Sequence, residues 1–103
     1  MADPMRIRAN VTGDSTEVRV LMSHQMETGQ RKDAAGKVIP AWFIQNVSAT
    51  HNGRNVLSAQ WGPAVSQNPF LSFKFKGGAK GDKIQITWVD NRGEKRTDEA
   101  LIA

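Results

Sequence analysis

Two histidines are the residues best suited to chemistry in this chain of 103 residues. His24 lies in the segment Met22-Ser23-His24-Gln25-Met26, where an imidazole could bind a metal ion or act as a general base. No second histidine lies at ligand spacing, so a polar loop residue is the favoured interpretation. His51 directly precedes the turn Asn52-Gly53 and is predicted to be a solvated hairpin residue. Neither histidine predicts a site by itself.

Other catalytic arrangements are poorly supported. The chain has no cysteine, which excludes disulfides, thiolate catalysis and cysteine-ligated metals. No Gly-x-Ser-x-Gly motif marks a serine hydrolase. One enzyme hypothesis stays open, in which His24 works with Glu27 or Asp33 as a metal or acid-base site. The sequence otherwise predicts a protein that is not an enzyme, with no cofactor and no metal.

Length and charge restrict the class of protein further. The size predicts a single domain over residues 1–103, and the formal net charge is +4. The basic residues are spread along the sequence, which argues against a nucleic-acid partner. A second hypothesis is an anion-binding module that uses the loop of residues 31–37, with Arg31, Lys32 and Lys37. No apolar run predicts a membrane span, and the first thirty residues show no secretory signal pattern.

These candidate residues must be positioned by strands, because apolar and polar side chains alternate along most of the chain. Leu71, Phe73 and Phe75, for example, share one face of a strand. Turn signals such as Asn52-Gly53 separate the alternating stretches. The pattern predicts an all-β protein, an immunoglobulin-like antiparallel β-sandwich of about seven strands. The predicted strands cover residues 5–11, 17–22, 38–51 (as one strand or two pieces), 54–61, 70–76, 82–89 and 94–98.

Large apolar side chains at strand ends and beside loops predict a protein interface. Aromatic residues and methionine are favoured at interface centres. Neighbouring pairs such as Trp42-Phe43 and Phe70-Leu71 point to opposite faces of a strand, so a partner must cover the second face. Phe73 and Trp88 are instead predicted to fill the core. The predicted interface residues are Met22, His24, Met26, Trp42, Phe43, Trp61, Pro63, Pro69 and Phe70.

Four segments of the chain match the pattern of a known family. They are Met22-Ser23-His24-Gln25-Met26-Glu27-Thr28-Gly29-Gln30-Arg31-Lys32-Asp33, Ile39-Pro40-Ala41-Trp42-Phe43-Ile44, Gly62-Pro63-Ala64-Val65-Ser66-Gln67-Asn68-Pro69-Phe70 and Thr87-Trp88-Val89-Asp90-Asn91. With these segments, the sequence resembles the SoxZ family across essentially the whole chain. Gln25 departs from the family pattern, in which a proline often follows the histidine.

The resemblance implies a subunit of the SoxYZ sulfur-carrier complex of bacterial thiosulfate oxidation. SoxZ subunits form a heterodimer with SoxY, whose C-terminal arm carries sulfur intermediates on a cysteine between Sox enzymes. This chain would then be a non-catalytic scaffold that also docks transiently to those enzymes. The family further implies a periplasmic location, reached by export together with the partner, which carries the signal. The absence of cysteine fits this role because a second thiol could compete in sulfur exchange.

Overall fold

The computed structural model describes residues 3–103 and consists of strands and loops, with no helix in that range. Seven strands form two antiparallel sheets, so the predicted all-β sandwich of about seven strands is confirmed. The first sheet has the order β1-β2-β5 and the second has the order β4-β3-β6-β7. The strands are β1 (Arg6–Thr12), β2 (Ser15–Leu21), β3 (Ile44–His51), β4 (Arg54–Gln60), β5 (Phe70–Lys76), β6 (Lys83–Asp90) and β7 (Lys95–Leu101).

The core lies between the two sheets and is built from alternate residues of the central strands. Val18 and Val20 of β2 and Ile84 and Ile86 of β6 belong to this core, and all four are fully buried. β-Branched residues suit such positions because their side chains pack well on a pleated surface. Trp88 is also fully buried, as predicted, whereas Phe73 is only half-buried against the core.

The two sheets meet closely along one margin of the sandwich. β1 lies beside β7 there, and Ala103 bonds to β1 through its amide to the Ala9 carbonyl (2.8 Å) and its carbonyl to the Val11 amide (3.2 Å). Ile102 is buried beneath this seam. The opposite margin is formed by β4 and β5, each of which is the last strand of its sheet.

Residues 38–51 do not form one strand, because β3 begins at Ile44, and the first of two predicted pieces is present only as isolated bridges at Val38 and Trp42. The preceding residues instead pair with the polar stretch after β2 through isolated bridges between Glu27 and Trp42 and between Lys32 and Val38. Pro40 interrupts this ladder because it has no amide hydrogen to donate. Residues 27–42 therefore form an irregular hairpin, called the arm below, most of which is exposed.

The connections differ greatly between the two ends of the sandwich. One end carries residues 22–43, 61–69 and 91–94 and the segment before β1, and is called the long-loop end. The other end carries the tight turns at 13–14 and 52–53 and the loop 77–82, and is called the short-turn end. Gly13 and Gly53 both have positive φ, which a tight turn between antiparallel strands requires.

The outer face of the β1-β2-β5 sheet carries basic side chains at alternate positions, and is called the basic face. Its outward residues include the cations Arg6, Arg8, Arg19, Lys74 and Lys76 and the carboxylate Glu17. The prediction that the basic residues are not clustered is therefore wrong. They are far apart in sequence, but antiparallel pairing of β2 with both β1 and β5 brings them together.

Candidate functional site

All nine predicted interface residues lie at the long-loop end, because each belongs to a loop there or begins a strand beside one. Their exposure differs. Phe70 is 62% exposed, Pro63 is exposed, and Trp42, Phe43 and Trp61 are half-buried. These five residues offer surface to a partner. Their assignment to an interface stays a prediction.

The other four predicted interface residues are buried within the chain itself: Met22, His24, Met26 and Pro69. The Met22 amide donates to the Pro69 carbonyl at 2.9 Å, which ties the loop after β2 to the loop before β5. The Met26 sulfur accepts the Ile44 amide at 3.3 Å. These residues support the surface from below and offer a partner little area of their own.

His24 and Asp90 form a buried pair at the centre of this end. The His24 Nε2 atom lies 3.1 Å from Asp90 Oδ2, and their side chains are 2% and 0% exposed. The Trp42 indole N–H donates to the same Asp90 oxygen at 2.7 Å. Because Asp90 ends β6 and Trp42 ends the arm, this carboxylate fastens the base of the arm to the four-stranded sheet.

The hydrogen-bond network assigns one tautomer to His24. Its Nδ1 atom accepts the Met26 amide at 3.0 Å, so that nitrogen carries no proton. The ring proton is then on Nε2, which donates it to Asp90. Met26 has a positive φ of 49°, which bends the backbone back over the ring. Both nitrogens are occupied within the chain, so the ring has no free lone pair for a metal ion or a substrate proton.

The second Asp90 oxygen completes the arrangement by accepting backbone amides. Oδ1 accepts the Arg92 amide at 3.0 Å and the Glu94 amide at 2.9 Å, which shapes the turn between β6 and β7. Burial is the largest influence on the Asp90 pKa and raises it, but the hydrogen bonds from His24, Trp42 and these two amides together outweigh burial. The Asp90 pKa is therefore lowered, and the carboxylate stays charged inside the fold.

Above this pair, Trp42 lies between a buried ring and a surface cation. Its ring centroid is 4.9 Å from that of His24, and the Arg92 guanidinium lies 4.2 Å from the Trp42 ring centroid. An open pocket of about 280 Å³ adjoins the cluster, with Trp42, Trp88, Asn68 and Glu94 among its lining residues. The Trp88 indole N–H is buried and makes no hydrogen bond within residues 3–103.

The enzyme hypothesis named the wrong acidic partners for His24. Glu27 binds Arg31 through two hydrogen bonds of 2.6 and 3.1 Å, and this pairing, chiefly the hydrogen bond, lowers the Glu27 pKa. Asp33 accepts the amides of Ala35 and Lys37 and so shapes the tip of the arm. Within residues 3–103, no group of three or more His, Cys, Asp or Glu side chains is placed to hold a metal ion.

The anion-binding hypothesis also loses one of its three residues. Arg31 is engaged by Glu27, which leaves Lys32 and Lys37 as exposed cations of the arm. Their backbones are on opposite sides of the hairpin tip, where the Asp33 amide donates to the Lys37 carbonyl at 2.8 Å. Two lysines on an exposed tip make a weak anion site.

His51 differs from its prediction as a solvated hairpin residue. It is the last residue of β3, its Nε2 atom lies 2.7 Å from Asp82 Oδ2, and its ring centroid is 5.1 Å from that of Phe75. The hydrogen bond from His51 is the main reason that the Asp82 pKa is lowered. The short-turn end therefore has a His–Asp pair of its own.

Comparison with known proteins decides the family. The sequence matches the profile of the family described as "Sulphur oxidation protein SoxZ" over residues 5–101. The chain belongs to the SoxZ family. It thus has a role in the Sox sulfur-oxidation system, as the sequence resemblance indicated. No curated protein matches the chain in a sequence comparison. Among the described residues, no helix is long and apolar enough to cross a membrane.

Solved structures show which proteins share the fold of this SoxZ family member. A hypothetical protein from Pyrococcus horikoshii OT3 is 17% identical with a TM-score of 0.63, over 99% of this chain and 88% of that one. A superoxide reductase in its oxidised state is 15% identical with a TM-score of 0.66, over 99% and 89%. The superoxide reductase (neelaredoxin) of Ignicoccus hospitalis is 15% identical with a TM-score of 0.57, over 99% and 82%. At these identities the likeness shows the fold alone.

Sequence reasoning missed Asp90, which organises the long-loop end. The turn Asp90-Asn91-Arg92-Gly93 does carry a signal, because Asp at the start of a turn commonly accepts amides two to four residues later. That signal explains the bonds to Arg92 and Glu94. It does not identify His24, which lies 66 residues away.

Proposed function

We propose that this chain is the non-catalytic scaffold subunit of a SoxYZ-type sulfur carrier. In this proposal it forms a heterodimer with a SoxY-type subunit, whose cysteine carries the sulfur intermediates of thiosulfate oxidation. The observation that carries the proposal is the family match over residues 5–101. The long-loop end is the proposed contact surface for SoxY.

Two features of the long-loop end support this surface. Its exposed and half-buried members are four aromatic side chains and Pro63, and aromatic residues are favoured at interface centres. Beneath them, Asp90 holds Trp42 and the turn between β6 and β7 in one conformation. A preorganised surface loses less conformational entropy on binding, which favours a stable heterodimer.

The first experiment is co-expression with the SoxY-type subunit of the same Sox system, followed by gel filtration with light scattering. We expect a one-to-one complex. Phe70→Asp should weaken it by at least about tenfold in Kd, because burial of a large apolar side chain is lost and a charge is placed in the contact. Circular dichroism of the isolated variant should show that the fold is retained, since Phe70 is already exposed.

Leu101→Asp is the matched control. Leu101 is 63% exposed, almost the same as Phe70, but lies at the short-turn end. We expect this variant to bind as tightly as the wild type. Equal affinity of all three proteins would remove Phe70 from the interface, and the absence of any complex with the wild type would count against the proposed function itself.

The proposal includes a periplasmic location reached by co-export. A SoxY-type partner with an intact signal should bring this chain to the periplasm, and a partner without the signal should leave it in the cytoplasm. Cell fractionation after co-expression measures this directly. Export of the chain when the partner's signal is deleted would contradict co-export while leaving the heterodimer proposal intact.

A further inference from the structure

The basic face holds the entire charge excess of the chain. The five cations and one carboxylate defined above give it a formal charge of +4, which equals the net charge of the whole sequence. The remaining nine basic and nine acidic residues balance one another. The electrostatic asymmetry of the molecule is therefore located on one sheet.

Like charges are neighbours on this face. Arg8 of β1 and Arg19 of β2 are direct cross-strand partners, an arrangement that destabilises a sheet by repulsion. Arg19 has an ion pair with Glu17 at 3.0 Å, and Lys74 lies 4.0 Å from the same carboxylate. Within residues 3–103, neither Arg6 nor Arg8 forms an ion pair with a carboxylate. The face has one anion of its own, and two cations already share it.

The composition of the face also limits the kind of partner. The centre of a stable heterodimer interface is apolar and depleted of charged residues. The outward side chains of this face are instead mainly polar or cationic and are mostly exposed. A charged face is better suited to fast, salt-dependent encounters.

We propose that the basic face is a second docking surface, which binds an acidic protein surface on the enzymes that act on the carrier complex. This inference rests on the proposed function. The SoxY-type subunit covers the long-loop end, and the basic face, with Arg8 and Arg19 at its centre, is left free to meet an enzyme. Long-range attraction then increases the encounter rate without forming a long-lived complex.

An acidic protein fits this face better than a nucleic acid does. In the described strands, the basic face carries no aromatic side chain apart from Phe70 at its margin, so it offers no platform for stacked bases. Glu17 lies between the cations, where it would repel a continuous phosphate backbone. Separate carboxylates of a protein surface can be arranged around it.

The test uses the intact heterodimer and each purified Sox enzyme that acts on the carrier. Association rates are measured by stopped flow for the wild type and for Arg8→Glu/Arg19→Glu, at about 20 mM and about 300 mM salt. We expect the double variant to associate at least about tenfold more slowly at low salt with at least one enzyme. The difference should fall below about twofold at high salt, because exposed charges are then screened.

Lys83→Glu/Lys95→Glu is the matched control, because it changes the net charge equally but on β6 and β7 of the four-stranded sheet. Its association rates should stay within about twofold of the wild type. Equal slowing by both double variants would overturn the proposal, since net charge alone would then explain the rates.

Two further outcomes would also overturn it. Loss of the heterodimer in Arg8→Glu/Arg19→Glu alone would assign the face to the SoxY-type subunit. Binding of the wild-type complex to double-stranded DNA at about 150 mM salt, abolished by the same variant, would assign it to nucleic acid if the enzyme rates were unchanged. A wild-type chain that forms no heterodimer would count against the proposed function instead.

Discussion

The two His–Asp pairs lie at opposite ends of the sandwich and differ mainly in what surrounds them. His24 and Asp90 are almost completely buried, whereas the His51 and Asp82 side chains are 19% and 26% exposed. Asp90 accepts hydrogen bonds from four donors in three separate segments. Asp82 accepts from His51, from the Asn52 side chain and from the Ala79 amide. The same two residue types therefore organise a whole end in one case and join one turn to one loop in the other.

This difference explains how the long loops can present a defined surface. Long loops cost conformational entropy to order, and the short turns of the other end do not need a central anchor. A buried carboxylate with several donors supplies that anchor, since each donor would lose a hydrogen bond if its loop moved away.

The largest expected effect comes from removing each carboxylate in turn. Asp90→Ala should lower the free energy of unfolding by about 3–5 kcal/mol, because the buried His24 and three part-buried donors lose their acceptor together. Asp82→Ala should shift the urea midpoint far less, because water can replace the exposed acceptor. Urea denaturation followed by tryptophan fluorescence measures both. Similar losses of stability in the two variants would show that the greater burial of the His24–Asp90 pair does not make it contribute more to stability.

A smaller effect is expected when the histidines are removed. His24→Ala should cost about 2–3 kcal/mol, because it leaves a cavity against Trp42 and Trp88 and takes one donor from Asp90. His51→Ala is the matched control at the other end and should be milder, since its ring is partly solvated. An His51→Ala variant that unfolds at lower urea than His24→Ala would contradict this order.

The smallest effect is expected from acid. The Asp90 pKa is lower in the folded chain than in the unfolded one, so its contribution to stability is complete above the unfolded pKa of about 4. That contribution is lost as the pH falls through the folded pKa. Unfolding free energies between about pH 6 and pH 2.5 should therefore fall more steeply for the wild type than for Asp90→Asn. If unfolding free energy fell equally steeply with pH in both proteins, Asp90 would not be a source of acid sensitivity.

The sequence predicted the sheets better than the ends of the sandwich. Alternation along Leu71, Phe73 and Phe75 predicted β5 with the bounds that the structure shows. A strand with one buried face alternates apolar and polar residues, so its own sequence is enough to identify it. The predicted start of β3 was wrong because bridges from Glu27 and Lys32 hold the residues before Ile44 in an extended form outside the sheet. The local sequence pattern does not distinguish an extended segment inside a sheet from one outside it.

The candidate sites depend on contacts between residues that are far apart in sequence, which local sequence patterns do not predict. His24 and His51 meet their carboxylates across 66 and 31 residues, so their burial could not be read from their neighbours in sequence. Arg8 and Lys74 were visible as outward residues of their own strands. Their membership in one face follows from the position of β2 between β1 and β5, which joins distant parts of the chain. The prediction of an interface at loop-side aromatic residues awaits the Phe70 experiment.

Basic residues at the open margin of the sandwich also affect self-association of the chain. β5 pairs with β2 on one side only, so its other side offers backbone groups to any extended chain that comes near. Lys74 and Lys76 lie on that strand, and Arg54 begins the neighbouring edge strand β4. Two copies that approached edge to edge would bring like charges together. Mutual repulsion thus favours a dispersed chain over a fibril.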